Sequence, residues 1–100
     1  MKNFRTYQLS VEFYRLARLI QITGHLGDQF IRAASSIVLN LAEGQGRPTK
    51  RDQVRFFSIA MGSLRECQAV LTLLDLNGTE AWVLLDKLAA HLYRLIQRAK

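Results

Sequence analysis

The sequence contains few of the residues that form disulfides, tight turns or extended loops. It has one cysteine, one proline and six glycines among 100 residues. A single cysteine excludes an intramolecular disulfide, which fits a reducing compartment. One proline and few glycines argue against an all-β chain with many turns and leave long segments free to be helical.

Long apolar runs are missing as well. The longest uncharged run covers residues 33–42, well short of the roughly 18 residues that a membrane span requires. Residues 1–7 include no apolar segment of the kind found in signal peptides. We therefore expect a cytoplasmic protein that does not associate with a membrane.

Acidic side chains are scarce relative to basic ones. Eight Asp and Glu face 14 Lys and Arg, which gives a formal net charge of +6 and a pI near 10.1. Such a balance favours acidic partners, namely nucleic acid, an anionic membrane surface or an acidic protein. The alternative is that the charge only keeps a small domain soluble. Apolar residues are 49% of the chain, enough for the core of one domain over residues 1–100.

Apolar residues recur at helical spacing in four segments. The first predicted helix covers residues 5–23 and ends at a break formed by Gly24 to Gly27. The second covers residues 29–43 and stops at the glycines that follow it. The third opens at Pro48-Thr49 and ends near residue 76, and Thr79 caps the fourth. Four helices with short connections predict an all-α domain, an antiparallel up-down-up-down four-helix bundle.

Gly62 lies in the middle of the third predicted helix. A glycine there costs about 1 kcal/mol relative to alanine. Counting outward from the preceding turn places Gly62 opposite residues 31–34 of an antiparallel second helix. We therefore predict that Gly62 has a structural role, allowing the two backbones to approach closely.

Basic residues cluster around the start of the third helix. Arg47, Lys50, Arg51 and Arg55 lie within nine residues and are opposed only by Asp52. The free backbone N–H groups of a helix start bind anions, and basic side chains add phosphate contacts. We predict a nucleic-acid-binding site here. We predict that Arg94 and Arg98 extend this site. The alternative is a solvated loop without a ligand.

No catalytic, cofactor or metal site is predicted. Asn40 and Glu43 lie one helical turn apart, and we assign them a structural role, hydrogen-bonding the glycine turn or a neighbouring helix end. His25 and His91 lack ligands at metal-site spacing. Cys67 falls on an apolar stripe, so we expect a buried, inert thiol.

The middle of the chain carries a recognisable pattern. Its residues are Gln29, Arg32-Ala33-Ala34, Ser36-Ile37, Asn40, Ala42-Glu43-Gly44, Gly46-Arg47, Phe56 or Phe57, Ile59-Ala60 and Gly62-Ser63-Leu64-Arg65-Glu66. This pattern resembles the bacterial four-helix bundle protein family first noticed as proteins encoded in intervening sequences of 23S ribosomal RNA genes. Val38 and Leu39 depart from it, since the family commonly has proline and a smaller residue there.

Gly44 and Gly46 stop the second predicted helix, and we assign them a structural role. The resemblance implies assembly into a homopentameric ring. A related branch, the accessory subunit of diversity-generating retroelements, binds a reverse transcriptase and its RNA template. Two functions follow as hypotheses. The first is a non-catalytic oligomeric adaptor that binds RNA or DNA phosphates. The second is a protein-binding scaffold, such as an accessory partner of a reverse transcriptase.

Overall fold

The computed structural model describes residues 4–100, which form four α-helices and no strand. The helices are α1 (Phe4–Ala17), α2 (Gly24–Gln45), α3 (Lys50–Leu73) and α4 (Glu80–Ala99). Helices α1 and α3 each pack against both α2 and α4. The predicted all-α class and the number of helices are confirmed. None of the helices in this part of the chain is long and apolar enough to cross a membrane.

The boundary between α1 and α2 differs from the prediction. Helix α1 ends at Ala17, and Gly24 to Gly27, predicted as a break, begin α2. Gly24 has a φ of +72°, a left-handed conformation that suits glycine. Gly27 is buried beneath the connecting segment, where an added Cβ would collide with the carbonyl oxygen of Ile22. The two glycines therefore serve the start of α2.

Both predicted N-caps of the later helices are confirmed. The Thr49 hydroxyl accepts a hydrogen bond from the Asp52 N–H at 3.2 Å, and the Thr79 hydroxyl accepts one from the Trp82 N–H at 3.4 Å. Each bond satisfies an N–H group that has no partner within its own helix.

Helix α3 ends three residues before the predicted position. Asp75 adopts a left-handed φ of 58°. The N–H of Leu76 donates to the carbonyl of Leu71 at 2.8 Å, and that of Asp75 to Thr72 at 3.1 Å. This pair of bonds is the Schellman arrangement that closes a helix C-terminus. An aspartate takes the position that glycine usually occupies, so α3 closes without a glycine and ahead of the predicted end.

Contacts join α2 to α3 at several points along their length. The Cys67 thiol lies 3.8 Å from the Phe30 carbonyl oxygen, and the hydroxyls of Ser36 and Ser63 are 2.8 Å apart. Further along α2, a Cβ at Gly44 would lie 2.6 Å from the ring of Phe57. Residue numbers rise along α2 as they fall along α3.

The predicted packing role of Gly62 is wrong within this domain. Gly62 is exposed, and a Cβ there would meet nothing within 4 Å. Its neighbour Ser63 faces α2 instead. One residue corresponds to about 100° around a helix, so a one-residue error in counting moves a side chain from the interface toward solvent. The close approach occurs at Gly44.

The core draws apolar side chains from all four helices. Phe13 of α1 and Phe30 of α2 meet edge to face, with ring centroids 6.0 Å apart. Leu64 and Leu71 come from α3, and the buried stripe of α4 includes Leu85, Leu88 and Leu92. Such aromatic pairs contribute about 0.5–1.5 kcal/mol beyond their buried area. The charged candidate residues lie outside this core.

Candidate nucleic-acid interface

The turn between α2 and α3 places Arg47 between two carboxylates. Its Nη2 lies 3.1 Å from Glu43 Oε2, and its Nε lies 3.5 Å from Asp52 Oδ2. The second contact is an ion pair without hydrogen-bond alignment, since Arg47 Nε has no hydrogen-bond partner among the described residues. Arg47 therefore ties the end of α2 to the first turn of α3.

Arg55 shares the same carboxylate and the same aromatic ring. Its Nε lies 3.2 Å from Asp52 Oδ1. The Cζ atoms of Arg47 and Arg55 are each 4.6 Å from the centroid of the Phe56 ring, within the range of a cation–π contact. We call Glu43, Arg47, Asp52, Arg55 and Phe56 the arginine clasp. Its two guanidinium groups and two carboxylates nearly cancel in charge.

The other two predicted turn residues have no such neutralisation. Lys50 and Arg51 are exposed in the first turn of α3, and neither forms an ion pair within residues 4–100. The turn thus brings the four predicted basic residues to one end of α3. Two of them lie in the clasp, and two are directed to solvent.

Arg94 and Arg98 lie on α4 with further cations that sequence reasoning missed. The charges of Arg94, Arg5, Lys87 and Arg98 all act on His91, whose pKa is lowered mainly by partial burial and then by these neighbours. We call Arg5, Lys87, His91, Arg94 and Arg98 the α4 basic stripe. The helical spacing of its four α4 members was a usable signal. Arg5 carried no such sequence signal, because it lies in α1, far from α4 in the chain.

Asn40 has a structural role, with a different partner from the predicted ones. Its Nδ2 donates to the Ser36 carbonyl oxygen at 2.9 Å and lies 3.1 Å from the Ser36 hydroxyl. Because the Ser36 hydroxyl also contacts Ser63, these polar side chains link α2 to α3. The partner is thus the preceding turn of α2.

Glu43, Gly44 and Gly46 organise the end of α2. The ion pair from Glu43 to Arg47 spans the glycine turn. Gly44 is buried against Phe57. Gly46 is the C-cap, and its N–H donates to the Glu43 carbonyl at 3.2 Å. These contacts fix the position of the clasp.

Cys67 is completely buried in the core, as the sequence indicates. Burial, and secondarily the charge of Glu66, raise the pKa of its thiol to about 12. Because thiolate is the reactive form, we expect a thiol-specific disulfide reagent to modify Cys67 only after unfolding. Modification followed across a denaturant titration should track the loss of helical circular dichroism. Rapid, complete modification of the folded chain would contradict this burial.

No group of three or more His, Cys, Asp or Glu side chains in the described chain is arranged to hold a metal ion.

These features define a small basic protein of the helical-bundle class, whose cations lie outside its apolar core. The sequence model of the 23S rRNA-intervening sequence protein family matches residues 4–98, and the chain belongs to that family. Comparison with curated proteins gives no match.

Proposed function

We propose that this protein is a non-catalytic, oligomeric adaptor that binds RNA or DNA through phosphate contacts. The observation that carries the proposal is the set of exposed cations without carboxylate partners in residues 4–100: Lys50 and Arg51 at the turn, and Lys87, Arg94 and Arg98 on α4. Lys and Arg side chains of this kind supply the sequence-independent part of nucleic-acid affinity. The name of the family refers to an intervening sequence of 23S rRNA, which is consistent with this role. The single buried thiol suits a cytoplasmic setting.

The proposed assembly is a homopentameric ring of up-down-up-down bundles. Its support is apolar surface that one domain leaves uncovered. Leu39 is 66% exposed, and it lines an apolar groove of about 260 Å³ with Val11, Tyr14 and Val38. Contiguous apolar surface of this kind favours association. A pentamer would multiply the +6 charge of one chain fivefold, which would strengthen phosphate attraction and its dependence on salt.

A second candidate function is a protein-binding scaffold, for example an accessory partner of a reverse transcriptase. The observation that favours it lies at the far end of α3 from the turn. Ile22, Leu26, Leu74 and Leu76 line an open cavity of about 470 Å³. Leu73, which precedes Leu74 in the chain, is 69% exposed. Apolar surface next to a cavity is typical of a docking site for a protein partner.

The test of the adaptor role is fluorescence anisotropy with a labelled structured RNA and a DNA duplex across a salt series. We expect binding whose logarithm falls linearly with the logarithm of salt concentration, with a slope that counts the phosphate contacts. Light scattering on the same sample gives the subunit count. No binding to either nucleic acid at low salt would contradict the adaptor role and leave the scaffold.

A further inference from the structure

We propose that the principal nucleic-acid contact surface is the α4 basic stripe, formed by Arg5, Lys87, His91, Arg94 and Arg98, which would hold successive phosphates of one strand. This inference rests on the proposed function and names the surface that performs it. It moves the centre of the site away from the α2–α3 turn.

The geometry of α4 aligns these cations. Positions 87, 91, 94 and 98 follow the spacing i, i+4, i+7 and i+11, which keeps them on one face of a helix. They extend over about 16 Å at the rise of an α-helix. The Nε of Arg98 donates to the Arg94 carbonyl oxygen at 3.5 Å, so this guanidinium lies back along the stripe. The result is a linear row of positive charge.

In the part of the chain that the structure describes, the cations of the α4 basic stripe are not paired with carboxylates, unlike Arg47 and Arg55 at the turn. None of its members forms an ion pair within residues 4–100. Its nearest acids in sequence are Asp86 and Glu12, and both are exposed. Asp52, by contrast, holds both arginines of the clasp. A phosphate at the clasp would have to compete with that carboxylate, whereas a phosphate at the stripe would not.

The surroundings of the stripe favour a polyanion over a lipid surface. Helices that lie on membranes insert an apolar face beside their cations. The apolar face of α4 is already used, because Leu85, Leu88 and Leu92 are completely buried. The exposed Val83 and Tyr93 lie ten residues apart on α4 and do not form a second apolar face. Guanidinium groups bind phosphate oxygens through paired, charge-assisted hydrogen bonds, and a nucleic-acid strand presents phosphates in a row.

His91 is a built-in reporter of this surface. The charged groups that act on it are Lys87, Arg94 and Arg98 from α4 and Arg5 from α1. Helix α3, which also packs on α4, contributes none among the described residues. Partial burial and then these cations lower the pKa of His91, so phosphates bound among the cations should raise it. Because the bound state then takes up protons, affinity should increase as the pH falls through the His91 titration.

The first measurement is an NMR pH titration of the two histidines, with and without a short single-stranded RNA. We expect the RNA to raise the pKa of His91. His25 lies at the start of α2, beside the cavity at the C-terminal end of α3. Its ring signals should not change when the RNA is added. Saturating RNA that leaves the His91 titration unchanged would overturn the assignment.

The second measurement compares double variants that each remove two positive charges. We expect Arg94→Gln with Arg98→Gln to weaken RNA binding about tenfold and to reduce the log–log salt slope by about 1.5. Lys50→Gln with Arg51→Gln should weaken it less. The matched control is Arg32→Gln with Arg65→Gln, two exposed arginines outside both clusters, which should change affinity by less than about threefold. Circular dichroism verifies that each variant is folded.

The outcomes separate this inference from the proposed function. If the Lys50 and Arg51 variant loses more affinity than the Arg94 and Arg98 variant, the stripe is not the principal surface, although the adaptor role survives. If the unaltered protein binds no RNA or DNA, both fail. Binding to anionic phospholipid vesicles or to an acidic peptide, without binding to nucleic acid, would likewise overturn both.

Discussion

Replacing Gly27 with alanine is expected to reduce the free energy of unfolding by about 3 kcal/mol, at the upper end of typical overpacking costs. A Cβ at this position would collide with the Ile22 carbonyl oxygen. That oxygen belongs to the backbone, so no side-chain rotation relieves the clash. Either the segment between α1 and α2 or the first turn of α2 must move. Chemical denaturation followed by circular dichroism measures the change.

The matched control is the same substitution at Gly62, which also lies within a helix but is exposed and has open space around it. Alanine there should stabilise α3 by about 1 kcal/mol, because it restores helix propensity without a clash. The two substitutions should therefore change stability in opposite directions. Similar losses at both positions would show that the Ile22 contact does not govern the effect at Gly27.

Replacing Phe57 with alanine is expected to cost about 4 kcal/mol. The Phe57 side chain is completely buried, and its ring packs on the backbone of Gly44. Removing the ring leaves a cavity between α2 and α3. Equilibrium unfolding in urea would measure the loss, and a cost below about 1 kcal/mol would show that the core closes around the deletion.

A double-mutant cycle tests the specific contact between these two residues. Gly44→Ala alone should cost about 2 kcal/mol, because the added Cβ would lie 2.6 Å from the Phe57 ring. In the Phe57→Ala background the same methyl group enters vacated space and should cost much less. Additive effects would contradict direct contact, since residues that touch are expected to couple.

Local rules were sufficient for much of the helical structure. Thr49 and Thr79 were identified as N-caps because capping depends on side-chain and backbone atoms only a few residues apart. Helical spacing also predicted the four apolar segments, and Phe13, Leu64 and Leu92 are among the side chains buried in them. These features need no knowledge of what lies across the bundle.

The structural roles of the glycines were predicted less accurately, because a glycine in the sequence fits several roles until its tertiary contacts are known. Gly24 and Gly27 suit either the end of one helix or the start of the next, and the Ile22 carbonyl over Gly27 decides between them. Gly44 and Gly62 are both helical. Only the register of α2 against α3 distinguishes the one that packs closely from the one that faces solvent.

By itself, the sequence determined the all-α class, the apolar stripes, the two threonine caps and the excess of positive charge, because each depends on composition or on residues within a few turns. Tertiary structure alone decided which cations join the α4 basic stripe. Asp52 pairs with Arg47 and Arg55 across only a few residues of chain, whereas Arg5 acts on His91 only once α1 packs on α4. Charge interactions depend on separation in space, and the fold brings together groups that are far apart in the chain.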